Sequence, residues 1–139
     1  MIINKNFFIN NIFFDEKFFM YLENVDLCLR AKKDSGKLLI IMNSKIRHLG
    51  AQAVDEKYFE EVELSRNWHW MWSKFYFNKK HRGLFVSLLL GFISLLENFL
   101  KYIIYMITLN KKRNIYRMRM SGIINSLLGR QSWYRPEIN

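Results

Sequence analysis

The chain has 139 residues, half of them hydrophobic and 17% aromatic. That length suits one domain able to bury a core, and the composition argues against disorder. A single cysteine, Cys28, and six scattered glycines exclude an internal disulfide framework, a cysteine-based zinc site and a glycine-rich phosphate loop. The net charge of +10 is lopsided, with −1 on residues 1–65 and +11 on residues 66–139. The C-terminal half is therefore expected to meet something anionic: phospholipid, nucleic acid or a phosphate-bearing substrate.

In chain order, the apolar start MIINKNFFINNIFF is broken by Asn4, Asn6, Asn10 and Asn11 and is followed by no small-residue cleavage site. It does not read as a signal peptide, and Cys28 is expected to stay reduced. FFIN and IFF read as short strands or turns. ENVDLCLRAKK has helical spacing and is predicted to begin a helix near Glu23 or Asn24 that DSG at 34–36 ends. KLLIIM is an apolar run of strand length, consistent with a strand covered on both faces. Strand, helix and strand in about 45 residues would form a crossover unit. Next, AVDEKYFEEVEL concentrates acid, and RNWHWMWSKFYFNKKHR concentrates aromatic rings. A helix would place Trp68, Trp72 and Phe75 on one side with Lys74 off it, whereas a strand would align the three tryptophans. The helix is favoured. His69 and His81 are expected at a surface or interface.

Residues 84–109 hold one acid, Glu97, and one base, Lys101. As a helix they would reach about 39 Å, more than the ~30 Å hydrocarbon core of a bilayer. Ser87, Gly91, Ser94, Asn98, Lys101, Tyr105 and Thr108 recur every three or four residues and draw a small-or-polar stripe along it. Basic residues flank both ends: Lys79, Lys80 and Arg82 before, Lys111, Lys112 and Arg113 after. A spanning helix favours one basic side, so this symmetry suits a helix lying in the plane of an anionic leaflet. A spanning helix and a buried core helix remain the alternatives. KKRNIYRMRM, with Arg113 and Arg117 on one face, also allows a backbone-reading nucleic-acid helix; lipid contact is preferred and no nucleic acid is expected.

Glu23 and Asp26 lie at the expected start of a helix, where acids complement its dipole without any further role. They are also candidates to take a proton from an acceptor hydroxyl. His48 alone reads as a hydrogen-bonded histidine or a metal ligand. Spacing by itself leaves the function undecided.

The stretch FFDEKFFMYLENVDLCLRAKK, a short apolar run and SKIRHLG resemble the acceptor-side half of family-2 glycosyltransferases, especially the rhamnosyltransferase-like members. The matching positions are Phe14, Asp15, Glu16, Phe18, Phe19, Tyr21, Glu23, Asp26, Leu27, Cys28, Arg30, His48 and Gly50. Asn24 stands where many members carry their catalytic Asp. RNWHWMWSKFYFNKKH and SWYRP look like C-terminal extensions of some of these enzymes. The resemblance implies an α/β fragment of a GT-A domain over residues 1–65, followed by a mostly helical, membrane-associated extension over 66–139. It implies a C-terminal fragment, with the nucleotide-binding strands and Asp-x-Asp motif belonging upstream. It further implies sugar transfer from a nucleotide-diphosphate donor to a lipid-linked or surface-polysaccharide acceptor, with Mg²⁺ or Mn²⁺, at the cytoplasmic face of the inner (plasma) membrane. By resemblance Glu23 and Asp26 are catalytic, Asp15 and Arg30 line the acceptor side, and His48 ligates the metal. An inactive membrane-bound remnant or partner subunit is the alternative.

Overall fold

The structure is a computed structural model. It describes residues 3, 4, 7, 13–43, 45, 47 and 54–136. Helix α1 covers Glu23–Lys33, α2 Phe59–Arg82, α3 Leu84–Ile107 and α4 Lys112–Leu127, with a 3-10 turn at Glu56–Tyr58 leading into α2. Among the described residues there is no strand.

That overturns the expected α/β architecture and its GT-A fragment. The apolar run KLLIIM is exposed irregular chain, with Leu39 and Ile40 each 85% exposed. Phe13 and Phe14 are likewise outside any strand. A strand needs a neighbour to satisfy its backbone groups, and four to eight apolar residues in a row do not by themselves supply one. Residues 8–10 and 12, where a first strand was expected, lie outside the described residues; of the rest of the crossover unit, the helix is present and KLLIIM is not a strand.

That helix forms as its sequence dictates. Glu23 and Asp26 occupy the first turn of α1, and Arg30, Lys32 and Lys33 the last, which opposes charge to the helix dipole at both ends. It stops at DSG: Asp34 N–H donates to Arg30 O, Ser35 turns left-handed at φ 62°, and Gly36 N–H returns to Ala31 O at 2.7 Å.

α2, α3 and α4 make an up-down-up bundle. Trp68, Trp72 and Phe75 are buried along one side and Lys74 is exposed, as helical spacing requires. Gly83 alone joins α2 to α3, at φ 86° and ψ 167°, a conformation open essentially to glycine. The two helices run antiparallel, with Phe75 against Gly91 and Leu95 beside the Met71, Phe75 and Ile123 core. α4 returns parallel to α2. A Cβ on Gly122 would come within 2.3 Å of Trp68 O, so glycine permits that helix crossing. Trp68 Nε1–H donates to Ser121 Oγ, and Arg119 Nε–H to Asn67 Oδ1 at 2.7 Å.

α2 also buries polar groups that have partners. Ser73 Oγ–H donates to Met20 O at 2.7 Å, and Asn78 to Lys74 O. His69, expected at a surface or interface, is fully enclosed. Its Nε2–H donates to Tyr134 O at 2.7 Å, and Nδ1 accepts from Ser132 Oγ–H at 2.8 Å. Those bonds bring the C-terminal tail back across α2, a contact over 60 residues of sequence that local reading does not reveal.

Candidate functional site

The segment 13–22, the front of α1, the C-terminal half of α2 and the tail after α4 enclose a cleft of about 880 Å³. Its lining includes the aromatic side chains Phe14, Phe18, Phe19, Trp72 and Tyr76. Charged residues line it too: the acids Asp15, Glu16 and Glu23 and the bases Lys17, Lys79, Arg130 and Arg135. Arg135 lies over the Phe19 ring at 3.5 Å from its centroid, and Phe19 packs in turn on His69. Trp72 Nε1–H donates to Arg130 O, which holds the tail against α2.

The front of α1 enters this cleft over a strained backbone. Tyr21 and Leu22, neither of them glycine, adopt φ of 70° and 67°. Such residues cost on the order of 1–3 kcal/mol each and persist only when the surroundings hold them. Tyr21 is held edge-on against Trp70. Glu23 follows directly. Its Oε2 is buried without a hydrogen-bond partner, and so is Oγ of Ser126 at the end of α4, which borders the same cleft.

Asp26, one turn further along α1, is differently placed. Its side chain is fully buried behind the cleft. Oδ2 accepts from Arg30 Nε at 2.9 Å; Oδ1 accepts from Lys80 Nζ at 2.7 Å and from His81 Nε2 at 2.8 Å. Burial alone would raise the Asp26 pKa, but the hydrogen bonds from Lys80, Arg30 and His81 outweigh it and hold the carboxyl below its ordinary value. A carboxylate so satisfied is a weak base and a strong anchor. His81 was expected at a surface or interface. Its side chain is only 7% exposed, since Nε2 is spent on Asp26 and Nδ1 lies 3.5 Å from Lys33 Nζ.

Asp15 shares Lys80 with Asp26. Its Oδ2 accepts from Lys80 Nζ at 2.7 Å and from Tyr76 Oη at 2.8 Å, while Oδ1 accepts from Lys17 N–H. Burial pushes this carboxyl up, and the Lys80, Lys17 and Tyr76 hydrogen bonds bring it below the usual range. Burial and the Asp15 carboxylate together push the Tyr76 phenol far up, so it stays a donor. Arg30 reaches both Asp26 and the carbonyl of Phe13.

Of the residues singled out in the sequence, Asp15 and Glu23 line one cleft, and Asp15, Asp26 and Arg30 belong to one ion-pair network joined by Lys80. Asn24 is exposed and its side chain accepts from Val25 N–H. His48 lies outside the described residues. Among the described residues, no three of His, Cys, Asp and Glu converge as a metal seat. The oxygens of Asp15 and Asp26 already face Lys80, Arg30 and His81, so a divalent ion does not fit this cluster. Local reading missed the roles of Tyr76, Lys80, His81, Ser126, Arg130 and Arg135. Only the NKKHR cluster left a signal, and it was read as a membrane flank.

Compared with known protein families, curated proteins and solved structures, the chain matches none.

Proposed function

We infer that this chain serves sugar transfer, supplying the acceptor side of a glycosyltransferase that uses a nucleotide-diphosphate sugar and a glycan or lipid-linked acceptor. The observation that carries the reading is Glu23: a carboxylate with one buried, unpartnered oxygen beside a cleft walled by aromatic rings and arginines. Aromatic faces suit the apolar C–H faces of a sugar ring, while charged groups bind its hydroxyls. The resemblance of residues 14–30 to family-2 enzymes points to the same chemistry.

In this reading Glu23 takes the proton of an acceptor hydroxyl. The freed oxygen electron pair forms the new bond to the anomeric carbon of the donor sugar, and the nucleoside diphosphate departs with the electrons of the bond that breaks. Asp26 and Asp15 position the front of α1 through Lys80 and do not handle the proton, because their oxygens are already engaged by cations. Arg130, Arg135 and Lys79 supply positive charge near the cleft for an acceptor that carries phosphate or carboxylate.

The test is label transfer from nucleotide-diphosphate sugars into the lipid and glycan fractions of membranes carrying this chain. Glu23→Gln is expected to reduce transfer about 100-fold or more. Equal transfer with and without this substitution would overturn the assignment. Asn24, together with the engaged Asp15 and Asp26, favours a second reading in which the chain binds the acceptor for a catalytic partner. Glycan binding with no transfer, in wild type as in Glu23→Gln, would support that reading.

A further inference from the structure

α3 is turned inside out. The stripe that faces α2 and α4 is the small and polar one: Ser87, Gly91 and Asn98 are its buried residues. Asn98 donates to Ser94 O and Ser87 to Leu84 O, so these polar groups are satisfied within the helix. Gly91 sits under the Phe75 ring, where a Cβ would approach to 2.8 Å. The opposite face is apolar and open, with Phe85 82% exposed, Phe92 66%, Leu100 55% and Ile107 75%. Only 17% of its most apolar stretch is buried. This is the reverse of a helix packed on a water-soluble core: within this chain the segment is not buried as a core helix.

Both ends of that face are basic. Arg82 stands at the Gly83 joint, and Lys111 and Lys112 open α4 at the other end, all exposed. Tyr105 of α3 stacks on Tyr116 of α4 at 5.3 Å, placing a ring pair near the second basic end. The geometry also decides between spanning and lying flat. α2 has the same 24-residue length as α3 and runs antiparallel beside it. α2 carries Glu60, Glu61, Glu63, Arg66 and Lys74, and α4 carries Arg113, Arg117 and Arg119. Were α3 to cross a bilayer, those charges would travel through hydrocarbon depth with it, at about 2.5–3.5 kcal/mol for each one at the centre. Laid flat, α3 alone sinks into the acyl boundary while α2 and α4 stay on the aqueous side and the basic ends meet headgroups.

We propose that the outward face of α3 docks the protein in the plane of an anionic phospholipid leaflet, without crossing it. The proposal is independent of the sugar-transfer reading, and its experiment measures no transfer.

The experiment is flotation of the full chain with vesicles of phosphatidylcholine alone or with 30% phosphatidylglycerol, a composition chosen for the assay. Binding is expected to the anionic vesicles, to weaken about tenfold or more in Phe92→Glu, and to weaken about tenfold in Lys111→Gln/Lys112→Gln. Topology is read on a Cys28→Ser background carrying Arg82→Cys or Lys111→Cys. An impermeant maleimide added outside sealed vesicles is expected to label both positions fully. Protection of one position means that α3 spans, and overturns the proposal. Equal binding to neutral and anionic vesicles, or no binding to either, also overturns it. So does cross-linking of Phe92→Cys between copies that persists with lipid present, because a second copy then covers the face. Circular dichroism of each variant confirms that the helices are intact.

Discussion

α2 and α3 have the same length and meet at one glycine, yet they sort their side chains by opposite rules. α2 buries Trp68, Trp72 and Phe75 together with His69, Ser73 and Asn78, each polar group with a partner. α3 hides serine, glycine and asparagine and displays leucine, isoleucine and phenylalanine. A helix turns inward whatever its surroundings least tolerate. In water that is the hydrocarbon; beside lipid it is the polar stripe, and small residues there also let helices approach closely. The contrast teaches that length and hydropathy do not tell which face of a long helix packs. The neighbouring helices tell it.

The contrast makes graded expectations for stability in lipid-free solution. The largest effect belongs to the α2–α4 seam. Gly122→Leu would drive a side chain into the Trp68 backbone, and loss of a cooperative thermal transition by circular dichroism is expected. A variant that melts like wild type would show that this crossing is looser than drawn. Next comes Asp26→Asn, which leaves Lys80, Arg30 and His81 around a neutral group. About 3 kcal/mol should be lost in urea titration, the low end for breaking a buried pair, because the two long cations are partly exposed.

A smaller effect is set by pH. Burial, seconded by the charge of Arg135, pulls the pKa of His69 down against the Tyr134 carbonyl that favours the charged ring. The unfolded chain protonates its histidine near pH 6.5 while the folded one resists. The stabilisation is therefore complete above about 6.5 and is lost as pH falls towards the native value. Melting points from pH 7.5 to 5 should decline in wild type by more than in His69→Gln. Parallel curves would place the titration elsewhere. The smallest effect is Phe92→Glu, expected to change stability by no more than about 0.5 kcal/mol without lipid. A large loss in that variant would mean that the open face of α3 packs against protein.

Much of the helical content was legible. The start of α1 at Glu23, the shared side of Trp68, Trp72 and Phe75, and the polar stripe of α3 all follow from the 3.6-residue period. KLLIIM was not legible, because a short apolar run has no period to read and its state depends on partners elsewhere in the chain. The site divides in the same way. Glu23 and Asp26 stand out at the expected start of a helix, and Asp15 and Arg30 through the resemblance carried by neighbouring residues. Lys80 and His81 lie more than 50 residues beyond Asp26, and the tail arginines lie further still. Nothing local links a basic cluster to the acids it neutralises, and the same residues read equally well as a headgroup contact.

The lysine clamped between Asp15 and Asp26 has one more consequence. The stretch before α2 is fastened by buried Phe18 and Leu27 and also by charge: Lys80 to both acids, His81 to Asp26, Lys33 beside His81. The helices behind it are fastened by shape, glycine under tryptophan and phenylalanine over glycine. Added salt screens the partly exposed Lys80–Asp15 pair more than the pairs of buried Asp26, and it spares packing. The front should therefore loosen before the bundle does as salt rises, beginning at Asp15 and the cleft mouth. Hydrogen exchange at rising ionic strength would record that order of release.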